Sequence, residues 1–108
     1  MSQSLAWIVL AAAGILEIGW IVALRAAAGF TKPLPVVTAL ALMAGSVGLL
    51  GLAMKALPLA VAYAIWTGIG VIGAALAGAA LFGEALGPQK IAAIGLIVAG
   101  IAGLKLSV

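Results

Sequence analysis

Residues 4–24 read SLAWIVLAAAGILEIGWIVAL, an apolar run that a single charged residue, Glu17, interrupts. No other acidic residue occurs before Glu84. About 20 apolar residues span a bilayer core, so this run predicts a transmembrane helix. A carboxylate inside such a helix costs roughly 2.5–3.5 kcal/mol on insertion scales and usually marks a functional site. Glu17 therefore predicts a site for a proton, a cation, or both in competition. The alternative is a buried glutamate that only fixes helix packing through a hydrogen bond.

The composition of the whole chain is that of a membrane protein. Its 108 residues are 68% hydrophobic and 6% charged, with a mean hydropathy of +1.46. A soluble domain carries about 25% charged residues, so this chain could not cover a surface that faces water. We predict an all-α membrane protein.

The residue types that are missing or rare exclude several function classes. The chain has no cysteine, no histidine and two acidic residues, so we expect no disulfide, metal site or cofactor. An enzyme is not expected, because no nucleophile–base pair is available. The net charge of +3 comes from single cations near the ends of apolar runs, which anchor helices at lipid headgroups rather than binding nucleic acid. These cations are Arg25, Lys32, Lys55, Lys90 and Lys105.

Four apolar segments predict a bundle of four transmembrane helices in one domain, residues 1–108. The predicted helices cover residues 4–24, 33–54, 58–82 and 88–106, with Ser4 as the candidate cap of the first. Prolines open the other three, and proline suits the first turn of a helix because its missing N–H loses no partner there. The connections are too short to hold a soluble domain, and we expect Glu84 in the last of them to be a solvated loop charge.

The positive charges are almost balanced between the two sides of the predicted bundle. Lys55 and Lys105 lie on the side of the N-terminus, and Arg25, Lys32 and Lys90 lie on the opposite side. Orientation follows the Lys/Arg excess in short loops, so two cations against three favour insertion both ways round. Such a chain suits an antiparallel homodimer, and a heterodimer with a paralogue is the alternative. Four short helices also barely surround a substrate, whereas alternating access usually uses two structural halves.

Aromatic and hydroxyl side chains supply candidate partners for Glu17. Trp20 follows it by three residues and shares its helix face. Tyr63 and Trp66 repeat this spacing in the third helix, and Ser46 is a lone hydroxyl inside the second. Buried Tyr and Trp normally donate hydrogen bonds, so all four are candidate donors to the carboxylate. The alternatives are an interfacial aromatic belt for Tyr63 and Trp66, and a bond from Ser46 back to its own helix.

Small residues predict where helices bend or meet. Gly68 and Gly70 lie two and four residues after Trp66 and are the candidate hinge of the third helix. The fourth helix carries a small-xxx-small ridge that we expect to form the dimer seam. The ridge consists of Gly95, Ala99 and Gly103.

Three motifs resemble the small multidrug resistance family across nearly the whole chain. They read GILEIGW at residues 14–20, PLAVAYAIWTGIG at residues 58–70 and GLIVAGIAGLK at residues 95–105. Trp20 and Lys105 resemble the guanidinium-exporter subtype more than the exporters of polyaromatic drugs. Ala60 and Val61 depart from the Gly-Thr pair that relatives often carry.

The resemblance implies an antiparallel, dual-topology homodimer in the bacterial inner membrane that exchanges a cation for protons. Glu17 of both subunits would bind substrate and protons in turn. Trp20, Ser46 and Tyr63 match positions that orient the glutamates or line the site, and Trp66 matches an aromatic wall. Lys105 matches a subtype marker.

The leading functional hypothesis is proton-coupled export of guanidinium, with small substituted guanidines as further substrates. Guanidinium is flat and offers N–H pairs that match a carboxylate edge. Trp20 would occupy volume that a bulky drug needs. A promiscuous exporter of quaternary ammonium compounds is the nearest alternative. A cation channel and a purely structural membrane subunit are more distant ones.

Overall fold

The computed structural model describes all 108 residues and consists of four α-helices. They are α1 (Gln3–Ala26), α2 (Pro33–Ala53), α3 (Leu59–Phe82) and α4 (Pro88–Leu106). Each is long and apolar enough to cross a membrane. The chain is therefore an all-helical, multi-pass membrane protein, as its composition predicts.

The helix ends lie close to the predicted positions and differ in two details. Ser2, not Ser4, caps α1, because the Ser2 side chain accepts a hydrogen bond of 3.1 Å from the Leu5 N–H. Pro58 precedes α3 as its N-cap residue instead of opening it. Pro33 and Pro88 do stand in the first turns of α2 and α4.

The four helices form an open layer instead of closing around a common core. α1 packs against both α2 and α3, α2 and α3 also touch each other directly, and α4 packs mainly against α3. The molecule measures 41 × 34 × 16 Å, and its smallest dimension is little more than one helix diameter of about 10–12 Å. Many apolar side chains consequently face outward on both sides of the layer. The order of the helices across the layer is α2, α1, α3, α4.

The hydrophobic core lies at one end of the layer, where the first half of α1 meets the α2–α3 connection. Ala6, Leu10 and Ala13 of α1 pack there against residues from the end of α2 to Ile65 of α3. Glu17 follows this core along α1, and no residue of α4 is buried. The candidate site residues of α1, Glu17 and Trp20, therefore lie beyond the tightly packed end.

Candidate functional site

Glu17 lies in the middle of α1 and faces α3 at Gly70. Only 8% of Glu17 is exposed. A Cβ atom at position 70 would lie 2.8 Å from the Glu17 Cδ atom and closer still to its Oε2 atom. Real Cβ atoms essentially never make such contacts, so glycine is the residue that admits the carboxylate here. The contact between Gly70 and Glu17 fixes the carboxylate at the α1–α3 interface.

A cavity of about 150 Å³ between α1 and α3 adjoins the carboxylate. We call it the Glu17 cavity. Its polar side chains are Glu17 and Thr67, and the rest of its lining is small or apolar. The lining residues are Glu17, Ile21, Thr67, Gly70, Val71 and Ala74.

The carboxylate has a buried oxygen that no group of this chain satisfies. Glu17 Oε2 and Trp20 Nε1 are both buried, and neither has a hydrogen-bond partner. A buried polar atom without a partner costs about 1–3 kcal/mol, so both atoms retain hydrogen-bonding capacity that this chain does not use. Glu17 Oε2 is an acceptor and Trp20 Nε1 is a donor, so the two atoms can serve different partners.

The expectation that Trp20 donates to Glu17 within the chain is wrong. The Trp20 side chain lies on the α2 side of α1, where it lines an apolar cavity of about 180 Å³ with residues such as Val36, Ala39 and Met43. Glu17 faces α3 instead. The i, i+3 spacing places Glu17 and Trp20 near each other along α1. Their side chains nevertheless diverge, because Glu17 packs against α3 and Trp20 packs against α2.

Ser46 and Trp66 form a buried hydrogen-bonded chain that joins three helices. Trp66 Nε1 donates to Ser46 Oγ at 2.9 Å, and Ser46 Oγ donates to the Ala13 carbonyl oxygen at 2.7 Å. Trp66 Nε1 and Ser46 Oγ each donate to another group, so neither donates to Glu17 in this chain. Ser46 also does not bond back to its own helix. Instead it ties α2 to α1, one turn before Glu17 along that helix.

Tyr63 lies on the exposed surface of α3, with 54% of the residue accessible. Its ring packs against Trp66 at a centroid distance of 5.7 Å and an interplanar angle of 36°. The structure therefore places Tyr63 beside the Trp66–Ser46 chain, and its hydroxyl bonds no group of this chain.

The glycines of the candidate hinge are both packed against side chains. A Cβ atom at Gly68 would lie 2.8 Å from Ile101 Cδ1 and 3.2 Å from Ile97 Cγ2, so Gly68 brings α4 against α3. Gly70 contacts Glu17. α3 runs without interruption through this segment, and a hinge motion stays a prediction.

The predicted ridge of α4 points away from α3. Gly95, Ala99 and Gly103 are exposed, whereas the partly buried residues of α4 lie on its opposite face. Those residues are Ile94, Ile97, Ile101 and Leu104. The small residues therefore form the outer edge of the layer, where a further helix can approach.

Two cationic side chains, Lys105 and Arg25, make contacts that were not predicted from the sequence. Lys105 Nζ lies 5.2 Å from the centroid of the Trp7 ring, which connects the end of α4 to the start of α1. Arg25 Nη1 lies 2.6 Å from Glu84 Oε2, and Arg25 Cζ lies 4.9 Å from the centroid of the Phe82 ring. Glu84 is exposed in the α3–α4 connection, as expected of a solvated loop charge, but it also forms this ion pair. The sequence held a signal for this pair, because the end of α1, which carries Arg25, and the α3–α4 connection, which carries Glu84, lie on the same side.

A second cavity, of about 220 Å³, lies beside this ion pair, and we call it the Arg25 cavity. It shares Ile21 and Ala74 with the Glu17 cavity, so the two are neighbours along the α1–α3 interface. Its lining residues are Ile21, Val22, Arg25, Ala74, Ala77, Gly78, Phe82 and Glu84.

A comparison to known families identifies the family of the chain. A family model described as Small Multidrug Resistance protein matches residues 5–97. The chain belongs to the small multidrug resistance family. The matched range contains Glu17, Trp20, Ser46, Tyr63 and Trp66, and it ends before the last turns of α4.

Curated relatives of this small multidrug resistance protein carry the name guanidinium exporter. Those of Citrobacter freundii and Escherichia coli (strain K12) are both 48% identical to it over 103 residues. One from Salmonella typhimurium (strain LT2) is 50% identical over 103 residues. In each case the match covers 95% of this chain and 98% of the relative.

Proposed function

We propose that this protein is an antiporter that exports guanidinium across the bacterial inner membrane in exchange for protons. The observation that carries the proposal is the buried carboxylate of Glu17, which has an unpaired oxygen and adjoins a cavity. The relatives named guanidinium exporter support the choice of substrate.

The geometry of a carboxylate explains why this group suits guanidinium. A planar guanidinium ion donates two parallel N–H bonds to a carboxylate, and such charge-assisted bonds are about twice as strong as neutral ones. Glu17 is the one acidic residue within the four helices, because Glu84 lies in the α3–α4 connection. A cation that enters the helical layer therefore finds a single partner of opposite charge in each chain.

The same carboxylate can couple the cation to protons. A carboxylate that binds guanidinium has to be ionised, whereas a protonated carboxyl group has lost the charge that attracts the cation. Guanidinium and a proton therefore exclude each other at Glu17. Coupling requires that the site changes the side to which it opens only when Glu17 holds guanidinium or a proton, and not when it is empty and ionised. Guanidinium then moves out as protons move in.

The open layer indicates why a second copy is needed. The Glu17 cavity is lined by residues of α1 and α3 alone, so α2 and α4 supply no wall to it. An antiparallel homodimer would supply that wall and bring two Glu17 side chains to one site, which would then titrate as a coupled pair. The exposed ridge of Gly95, Ala99 and Gly103 on α4 is the proposed seam. The nearly balanced loop charges support insertion in both orientations.

Proteoliposomes that contain the purified protein test this function. With an imposed pH gradient, we expect uptake of guanidinium and no uptake of tetraethylammonium, because the latter offers no N–H group. Glu17→Gln should abolish transport. Uptake of both ions would favour a promiscuous exporter of quaternary ammonium compounds, for which the apolar cavity beside Trp20 offers room.

Two further outcomes would contradict the proposal. Current without proton movement would indicate a cation channel. Full activity of Glu17→Gln, or no transport of either ion by the wild-type protein, would favour a structural membrane subunit.

A further inference from the structure

A guanidinium group already occupies the outer end of the α1–α3 interface, because the Arg25 side chain carries one. This group forms an ion pair with Glu84 at 2.6 Å and lies over the Phe82 ring at 4.9 Å. Both interactions are those that bind free guanidinium ions elsewhere: a carboxylate accepts the N–H fork and an aromatic face attracts the cation. Arg25 therefore shows how this end of the interface holds a guanidinium ion.

We propose that Glu84 and Phe82 form a peripheral guanidinium-binding site, which the Arg25 side chain fills in this structure and which a free guanidinium ion takes by displacing it. This inference rests on the proposed function, since it concerns the same substrate. The peripheral site belongs to the Arg25 cavity, and that cavity shares Ile21 and Ala74 with the Glu17 cavity. A cation bound at Glu84 therefore lies next to the Glu17 cavity.

The backbone of α3 holds Glu84 in place independently of Arg25. Gly83 ends the helix with a left-handed φ of 67°, and the Glu84 N–H then bonds the Gly78 carbonyl oxygen at 3.0 Å. Gly78 also contacts the Glu84 carboxylate directly, in space that a Cβ atom would fill. The helix C-terminus adds a partial negative charge that favours cations. The site should therefore persist when Arg25 leaves.

The Arg25 side chain is held weakly enough to be displaced. The side chains of Arg25 and Glu84 are 58% and 42% exposed. Ion pairs between exposed side chains contribute little, because solvent screens them and the long side chains lose entropy.

Transport kinetics of Arg25→Ala and Glu84→Gln test the proposal. Arg25→Ala removes the tethered competitor and should lower the guanidinium KM about threefold, the size that one exposed ion pair supports. Glu84→Gln removes the carboxylate and should raise KM by a similar factor. The double variant should resemble Glu84→Gln. If the ion pair only clamps α1 to the α3–α4 connection, both single variants would change transport in the same direction, and the proposal would be overturned.

Matched controls separate the site from net charge. Lys32→Ala removes one positive charge on the same side as Arg25→Ala does, and Gln89→Lys changes the net charge as Glu84→Gln does. Both positions are exposed, and neither lines the Arg25 cavity. We expect both controls to keep the wild-type KM, and KM shifts equal to those of the test variants would contradict a specific site. Arg25→Lys, which keeps the charge and loses the planar fork, should give a KM between wild type and Arg25→Ala.

A binding measurement makes the inference independent of transport. With Glu17→Gln as the background, ligand-observed NMR of 15N-labelled guanidinium should show weak binding to Glu17→Gln/Arg25→Ala. The signal should disappear when Glu84→Gln is added. Absence of binding in the first protein would overturn the peripheral site, even if wild-type transport proceeds. Binding that depends on Glu84 would support the site, even if the wild-type protein fails to transport guanidinium.

Discussion

Gly70 of α3 lies against the carboxylate of Glu17 on α1, in space that any larger residue would fill. This contact brings the one acidic residue of the helical layer into a helix interface and leaves its Oε2 atom without a partner. The position of the charge therefore depends on a glycine 53 residues away in sequence as much as on Glu17 itself.

Gly70→Ala should impair transport without removing any polar group. The new Cβ atom would collide with the Glu17 carboxylate, and overpacking of this kind costs about 1–3 kcal/mol. We expect strongly reduced guanidinium transport in proteoliposomes and a lower midpoint in thermal unfolding of the solubilised protein. Gly48→Ala on α2 is the matched control, because position 48 faces open space and should tolerate the methyl group. Wild-type transport by Gly70→Ala would contradict the assigned geometry.

Ser46→Ala should destabilise the helical layer. It leaves Trp66 Nε1 and the Ala13 carbonyl oxygen without their shared partner, and interhelical hydrogen bonds in membranes are worth about 0.6–2 kcal/mol. Denaturant unfolding in detergent should show a loss of this size. Thr38→Val serves as the control, because Thr38 is exposed and bonds only to Leu34 of its own helix. An equal loss of unfolding free energy in the two variants would show that the hydrogen bonds of Ser46 add no stability beyond that of a hydroxyl bonded to its own helix.

Trp20→Gly should widen the range of transported cations. The indole borders the apolar cavity between α1 and α2, so its removal enlarges the space available to bulky groups. We expect uptake of tetraethylammonium beside guanidinium. Trp7→Gly makes the same change near the start of α1, away from that cavity, and should keep the wild-type selectivity. If Trp20→Gly still takes up guanidinium and excludes tetraethylammonium, Trp20 does not determine substrate selectivity.

Ala99→Leu should weaken dimer formation. Ala99 occupies the middle of the outward ridge of α4, and a leucine there would hold a second helix at a distance. Gly100→Leu, one residue along and off the ridge, is the matched control for bulk. Cross-linking in detergent and in membranes should show fewer dimers for Ala99→Leu than for Gly100→Leu. The reverse order would place the seam elsewhere.

The helices could be predicted closely from sequence, whereas their arrangement could not. Prolines and long apolar runs set the ends of α2 and α4, and the local hydrogen bond at Ser2 decides where α1 begins. No feature of the sequence predicted the order of the helices across the layer. Helices that are apolar all round carry no polar face to show which side packs inward.

The candidate site residues could be named from the sequence, whereas their hydrogen-bond partners could not. Glu17 is conspicuous as a charge in an apolar run. Its contact with Gly70 depends instead on how α1 and α3 approach each other. Trp66 and Ser46 were candidates to bond the carboxylate, and they bond each other because α2 and α3 both pack near Ala13. Hydrogen-bonding capacity can be read from residue types, but pairing requires the tertiary structure.

Proton release on guanidinium binding tests most directly whether Glu17 binds both the cation and the proton. Guanidinium is added to the solubilised protein in weakly buffered solution with a pH indicator. We expect wild-type protein to release protons, and its apparent affinity should fall at lower pH by up to about tenfold per unit for each proton displaced. Glu17→Gln should release none. Guanidinium binding that releases no protons at any pH, or equal release from Glu17→Gln, would contradict the account.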